Sequence, residues 1–404
     1  MTTEPAAVDF SLLSDAFQAD PPATFAQLRG GCPLHRTDVP APHYTLSREA
    51  DVTAALRDHE LWSSAAGPGL AHAERGRGVL VSSDPPNHTE ERLAISRAFK
   101  PSVLEAMEPA IRELVDGLVD RLLGRGRGDL IADLASPIPL TVMCWLLGTP
   151  VEDIPLFRSW VLPMAEAVSM VGGHQANPAV VGAYEQFYGY FGPHIEKRAA
   201  AIAAGEPAPA DLLTRLLTVE RGGRRLSHQQ VLGFCQFLLV AGSETTTLLI
   251  GNVIHRLLEH GDQMALLRAD RSLVPAAVEE SLRFDAPVHG LFRTNTRTVE
   301  MHGVEIAADS KVLMLFASAN RDPDAWSDPD HFDITRDLAD LRKRHAAFGV
   351  GIHYCLGAPL SRLEARVTLE AVIDRMPNLR TDGAPTGVKA GVLNGFETLP
   401  VRWD

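Results

Sequence analysis

Phe348-Gly349-Val350-Gly351-Ile352-His353-Tyr354-Cys355-Leu356-Gly357 is the stretch on which the reading of this chain turns. A lone cysteine follows a turn holding two glycines, and a helix-like run opens directly after it. Glycine lets the backbone adopt positive φ or approach a ligand closely. A helix start offers unpaired N–H groups and a partial positive charge. Both favour a thiolate, so the local chemistry is that of an anionic sulfur able to bind a metal. The competing reading is a small buried hydrophobe, the usual fate of a free cysteine. Phe348, seven positions earlier, and Gly357, two positions later, weigh against it.

The rest of the chain sets the frame. It has 404 residues, 45% hydrophobic and 22% charged, as in an ordinary globular protein. A net charge of −13 argues against a general nucleic-acid binder, which would present a basic field. The four cysteines, Cys32, Cys144, Cys235 and Cys355, form no C-x-x-C pair. That fits a reducing cytoplasm better than a disulfide framework or a zinc pattern. The opening Met1-Thr2-Thr3-Glu4-Pro5 has no basic n-region and is not expected to be a signal peptide. The most apolar stretch, 231–254, is interrupted by Gln236, Glu244, Thr245 to Thr247 and Asn252. It reads as a buried core helix, and no membrane association is expected.

Helical periodicity dominates. Residues 109–123 carry apolar side chains at helical spacing. Ser227 is the expected N-cap of a long helix reaching about Glu259, with His260-Gly261 as its stop. Pro275 opens a helix ending near Phe284, and 360–375 is a further amphipathic helix. Strands are expected at 44–46, 300–306, 311–316 and 398–401. Residues 322–340, rich in Asp and Pro, read as an ordered, irregular meander. Residues 67–78 and 171–178 read as loops, the first of low local stability. No linker divides the chain. The expectation is one mainly α domain over 1–404, with 1–19 a poorly ordered N-terminal segment.

Three further motifs carry chemistry. Ala241-Gly242-Ser243-Glu244-Thr245-Thr246 lies inside the long helix. Its hydroxyls can turn back onto carbonyls and bend the helix. An acid beside a hydroxyl there serves equally well as a proton relay or as a helix–helix polar contact. Glu280-Ser281-Leu282-Arg283 places an acid and a base on one helix face, a common and usually solvated pair. His88 and Arg92, one turn apart in 84–92, suit an anion or simply form an exposed polar face.

Together these motifs resemble the cytochrome P-450 family of haem-thiolate monooxygenases. The cysteine loop fits the family pattern F-x-x-G-x-[RH]-x-C-x-G at every defined position. The A-G-x-[DE]-T and E-x-x-R motifs precede it in the family's order. The resemblance runs from about Asp20 to Trp403 and is similar to the soluble bacterial members, such as the camphor hydroxylase. It implies a mainly α, single-domain fold with haem between the long central helix and the cysteine loop.

The resemblance also implies roles. Cys355 is the axial ligand of the iron of haem b, its thiolate favouring O–O cleavage. Phe348 shields that ligand. Gly349 belongs to the same haem-binding loop, and Gly351 and Gly357 allow close backbone approach. His88, Arg92, Arg293 and His353 hold the haem propionates. His353-x-Cys355 alone could hint at zinc, but no second ligand pair supports it. Glu244 and Thr245 are the acid–alcohol pair that positions dioxygen and delivers protons, although many members carry Asp where this chain has Glu244. Ala241 and Gly242 give the small surface over the haem. Glu280, Arg283 and Arg336 form a structural network. The substrate pocket draws on 67–80, 164–179, Phe237, Val240, Ala241, Val288, Leu291, Val392 and Leu393. The implied substrate is a small hydrophobic molecule of terpenoid, fatty-acid, steroid or polyketide-like type. Arg342, Lys343, Arg344, Arg362 and Arg366 flank the cysteine loop, either as a solvated helix face or as a basic patch for a ferredoxin served by its reductase. The protein is expected to be a cytoplasmic monomer. A peroxide-driven haem-thiolate enzyme and a non-enzymatic haem carrier or sensor are the alternatives.

Overall fold

The long helix runs His228–Glu259, about 48 Å at 1.5 Å per residue. A reciprocal capping box starts it: Gln230 N–H donates to Ser227 Oγ at 3.2 Å, and Ser227 N–H donates to Gln230 Oε1 at 3.0 Å. Such a cap contributes about 1 kcal/mol. His260 ends it, and Gly261 immediately opens the next helix, Gly261–Ala269. The computed structural model describes residues 10–31, 34–76, 78–167, 177–221, 224–389 and 391–404.

Among the described residues, His228–Glu259 is the one helix long and apolar enough to cross a bilayer. It lies in the middle of the molecule. Helices Pro137–Leu147, Ile154–Glu166, Pro178–Ala203, Val274–Phe284 and Ala358–Arg375 all pack against it. Phe234, Leu239, Leu249, Ile250 and Val253 on it are fully buried. Each such side chain contributes about 1.5–3 kcal/mol of burial free energy.

The sheet that matters for the site has five strands. Their order is Leu34–Thr37, His43–Leu46, Lys311–Met314, Leu291–Asn295 and Trp62–Ser63. Lys311–Met314 runs parallel to His43–Leu46, and the other pairings are antiparallel. Val312 pairs with both Tyr44 and Arg293. Strand alternation puts Leu291 and Arg293 on one face and Phe292 on the other. Phe292 is buried in a second apolar cluster with Phe10, Phe17, Phe25 and Leu313.

Several expectations are corrected. The segment 1–19 is packed from Phe10 onward, because Phe10 and Phe17 are buried and Asp15–Ala19 is a helix capped by Ser14. Residues 1–9 lie outside the described residues, as does Cys32. The helix expected at 109–123 starts eight residues earlier, as Pro101–Leu123, with Pro101 in its first turn and Pro109 tolerated inside. Residues 300–306 are not one strand but the hairpin Val299–Met301 and Val304–Ile306, turned at His302 and Gly303, both at positive φ. The stretch 398–401 is divided between Phe396–Thr398 and Pro400–Arg402. The meander ends early, since Asp337 caps the helix Leu338–Arg344. The loop at 67–78 is tied down at its start: Lys311 Nζ donates to the Ala66 and Gly67 carbonyls at 2.9 and 3.0 Å. Phe292 N–H donates to Pro68 O at 2.9 Å. Of the loop expected at 171–178, residues 171–176 lie outside the described residues, and Asn177 caps the helix Pro178–Ala203.

Candidate active site

Cys355 occupies the short connection between the 3-10 turn Gly351–His353 and the helix Ala358–Arg375. The loop is closed by Cys355 N–H donating to Phe348 O at 2.8 Å. Gly351 sits at φ +77°, and a Cβ there would meet Leu56 O at 2.8 Å. It therefore packs closely against the helix Glu49–Arg57. A Cβ on Gly357 would sit 3.9 Å from Cys355 Sγ. The N–H groups of Gly357 and Ala358 donate to the sulfur. Burial nevertheless pushes the Cys355 thiol up, and these donors with the charges of Arg92 and Arg362 only moderate it. A bound cation is what would deprotonate this sulfur.

Cys355 faces a cavity of about 770 Å³ lined by both ends of the chain. On one side of it lies a cluster of two arginines and two histidines. His88 and Arg92 come from the helix Asn87–Ile95, Arg293 from the sheet, and His353 from the cysteine loop. The His88 and His353 rings are 4.1 Å apart, and His353 Nε2 lies 3.0 Å from Ser64 Oγ. Burial, then the nearby Arg92, lowers His88 to about 4. Burial, then Arg293 and His88, lowers His353 to about 2. Burial also lowers Arg92, and takes Arg293 to about 10. Lys311, close enough to feel Arg293, falls to about 8. The carboxylate that Arg293 feels is Asp84, already accepting from Ser63 Oγ at 2.5 Å and Ser64 N–H at 2.8 Å. No ion pair to a carboxylate is made by Arg92 or Arg293 among the described residues. A buried guanidinium such as that of Arg293 is costly without an ion-paired acid unless an anion joins it. The donor set therefore fits a dicarboxylate such as the two propionates of haem.

Above Cys355, across the cavity, runs the central helix. Thr245 Oγ1 donates to Ala241 O at 2.8 Å, Thr247 Oγ1 to Ser243 O at 3.0 Å, and Ser243 Oγ to Leu239 O. The hydroxyls do turn back onto carbonyls. Glu244 lines the cavity, and burial pushes its carboxyl up to about 7, with Arg158 opposing and Glu397 adding to the shift. An acid in that range can give and take protons at neutral pH. The Gly242 backbone lines the cavity, but a Cβ on it would lie 2.5 Å from Met143 Sδ. That glycine also serves close packing with Pro137–Leu147.

Ala241, Phe237, Val240, Val288, Leu291, Val392, Leu393, Phe348 and Gly349 also line the cavity. So do Pro68, Gly78, Val79 and Leu80 from 67–80, and Met164 and Ala165 from 164–179; residues 168–176 lie outside the described residues. Glu280, Arg283 and Arg336 are brought together away from it. Glu280 Oε1 accepts from Arg283 Nη2 at 2.7 Å and Arg336 Nε at 3.2 Å. Arg283 also donates to the carbonyls of Asn320, Pro329 and His331, pinning the meander. The basic patch is largely compensated. Arg366 pairs with Glu108 and Glu370, Arg344 with Asp340, and Arg342 and Arg362 with Glu279.

Sequence reasoning missed the cavity's polar members. Gln229, Gln236, Tyr184 and Tyr188 face it from two helices, with Tyr188 Oη donating to Gln236 Oε1 at 3.2 Å. Ser361 and Glu364 face it from below, Thr246 Oγ1 donating to Ser361 Oγ at 3.1 Å. Gln229, Leu232, Gly233, Gln236 and Val240 lie on the face of Phe237 at helical spacing, so that stripe was available.

A cysteine facing the cavity opposite a helix whose hydroxyls donate to its own carbonyls, beside two arginines that make no ion pair among the described residues, fits a haem-thiolate enzyme. A family model described as Cytochrome P450 matches residues 173–377. The chain is 38% identical to the cytochrome P450 monooxygenase PikC of Streptomyces venezuelae, covering 100% of this chain and 95% of that one. It is 36% identical to the vitamin D(3) 25-hydroxylase of Pseudonocardia autotrophica over 91% of this chain and 89% of that one. The solved structure of cytochrome P450 CYP109Q5 from Chondromyces apiculatus superposes with a TM-score of 0.86 at 34% identity, covering 98% of each chain. The chain belongs to the cytochrome P450 family. It is a haem-thiolate monooxygenase whose cofactor is haem b.

Proposed function

We propose that Cys355 supplies the axial thiolate, that His88, Arg92, Arg293 and His353 hold the propionates, and that Glu244 and Thr245 serve oxygen activation. The observation that carries this reading is convergence: all seven line one cavity, although they come from four separate stretches of chain. Haem bound there supplies an electron-rich iron at which dioxygen is reduced. The chain's own residues do the rest. Phe348 and Leu356 cover the sulfur side. Thr245, its proton committed to Ala241 O, presents an acceptor above the cofactor face. Glu244, near half-protonated at neutral pH, passes protons toward it.

The substrate is a lipophilic molecule bearing oxygen functions, of terpenoid, steroid or polyketide-like type. Val240, Val288, Leu291, Val392 and Leu393 give it an apolar seat that excludes water. Tyr184, Gln236 and Tyr188 offer hydrogen bonds to its far end. Ferredoxin is the electron donor, reading the exposed end of the helix before the cysteine loop at Lys343, where Arg342 and Arg344 already pair with Glu279 and Asp340. The protein acts as a cytoplasmic monomer, one unit over 1–404.

The test is optical. The reduced holoenzyme with carbon monoxide is expected to show the red-shifted Soret band of thiolate ligation, lost in Cys355→Ala. A histidine-like carbonyl spectrum in the wild type overturns the assignment. Lys343→Glu is expected to raise the KM for an acidic ferredoxin while turnover with a chemical reductant is unchanged. An unaltered KM removes the docking claim.

A further inference from the structure

Behind the cysteine loop, one buried carboxylate gathers two arginines and a histidine. Glu279 lies on the helix Val274–Phe284, next to the structural Glu280 but facing a different set of partners. Its Oε1 accepts from Arg362 Nε at 2.6 Å and Arg342 Nε at 3.1 Å. Its Oε2 accepts from Arg362 Nη2 at 3.0 Å and lies 2.9 Å from His345 Nε2. Burial opposes the charged form, but hydrogen bonds from His345 and Arg362 win and hold the carboxyl down to about 2. Arg362 is thus gripped by a two-point fork, the geometry that fixes a guanidinium in place.

What the fork aims matters more than what it anchors. The Arg362 guanidinium lies 4.5 Å from the centre of the Phe348 ring. Its Nη1 donates to Tyr354 Oη at 3.0 Å, and Tyr354 is the residue immediately before Cys355. Phe348 in turn receives the Cys355 N–H on its carbonyl. Arg362 is one of the two cations whose field reaches the Cys355 sulfur. The other, Arg92, belongs to the propionate side. Arg362 is almost enclosed, so its charge is little screened.

We propose that Glu279 and Arg362 are positioning residues that set the reduction potential of the centre on Cys355, acting through the Phe348 ring, the Tyr354 hydroxyl and the net charge of the pair. The proposal rests on Cys355 being the iron ligand. A positive charge near the site favours the ferrous form, and a negative one favours the ferric form. Glu279→Gln keeps the shape and the acceptor oxygen but leaves the cations uncompensated. Arg362→Met keeps the bulk over Phe348 but leaves the carboxylate uncompensated by its main partner. The two substitutions therefore push the potential in opposite directions, which loosening of a merely structural clamp would not do.

The experiment is spectroelectrochemical titration of the ferric holoenzyme, without substrate, for wild type, Glu279→Gln, Arg362→Met and Arg362→Lys. Glu279→Gln is expected to raise the potential and Arg362→Met to lower it. Each change should be at least about threefold in the ferric-to-ferrous ratio at fixed potential, where tenfold corresponds to 59 mV for one electron. Arg362→Lys, which keeps the charge, should stay nearer wild type than Arg362→Met. The reduced carbon monoxide spectrum of each variant is recorded alongside. A wild type without the thiolate band defeats the ligand assignment itself. Intact bands with shifts of the same sign, or none, overturn the tuning proposal alone. Should Arg362→Met not retain haem, the isosteric Glu279→Gln decides by its sign: no shift, or a fall, overturns the proposal.

Discussion

Glu244→Gln separates a titrating acid from a passive polar contact. The Glu244 carboxyl ionises near its ordinary 4.5 in the unfolded chain and near 7 in the fold, chiefly through burial. Between those values the folded protein holds a proton that the unfolded chain has released. Stability is therefore fully present below pH 4.5 and falls as pH rises through 7. A shift of that size, at 1.36 kcal/mol per unit, is worth about 3 kcal/mol. Gln cannot ionise and is nearly the same shape. Urea denaturation of the two holoenzymes at pH 5 and pH 8 isolates the effect, because every other titrating group is shared. The stability of wild type minus variant should drop by about 2–3 kcal/mol from pH 5 to pH 8. In turnover, the variant should lose the inflection near pH 7 and leak electrons to peroxide. A stability difference independent of pH would show that Glu244 is not held near 7, and the relay argument would fail with it.

Gly242→Ala puts a Cβ against Met143 Sδ and should cost about 1–3 kcal/mol in denaturant melts, relieved when combined with Met143→Ala. Gly351→Ala combines a positive φ with a clash against Leu56 O, and should lower the haem-to-protein absorbance ratio of the purified protein. Glu280→Ala leaves Arg283 buried with no acid partner and should destabilise by about 3–5 kcal/mol, read as the fall in the urea midpoint. A midpoint within experimental scatter of wild type would show that the backbone carbonyls alone hold Arg283.

The fold class was legible through the family resemblance, and the motifs that carry it, at Cys355, Glu244-Thr245 and Glu280-x-x-Arg283, are recognisable because each is short. Glycines, caps and i, i+4 spacings act within ten residues of chain, and each constrains the backbone directly. The Ser227 cap was readable for the same reason. The parts that escaped depend on partners far away in sequence. Arg362 reads as one more solvated base until Glu279, 83 positions earlier, is seen beneath it. That Gly242 also packs against Met143 escaped because nothing local announces it. Strands Leu34–Thr37 and Leu291–Asn295 were missed since each mixes charged and apolar residues whose burial the sheet alone decides. The desolvation of Cys355 was not legible, because helix-terminus donors are visible in sequence and burial is not.

The central helix also dictates an order of assembly. His228–Glu259 leaves the ribosome about a hundred residues ahead of Ala358–Arg375, the helix that covers one of its sides. At 5–20 residues per second, that is a wait of about 5–20 s. Throughout that interval a bilayer-length apolar surface stands partly uncovered, and Cys355 has not been made. The cofactor can be held at Cys355 only after that residue has been made, so nascent chains stalled before residue 355 are candidates for chaperone capture rather than partial function.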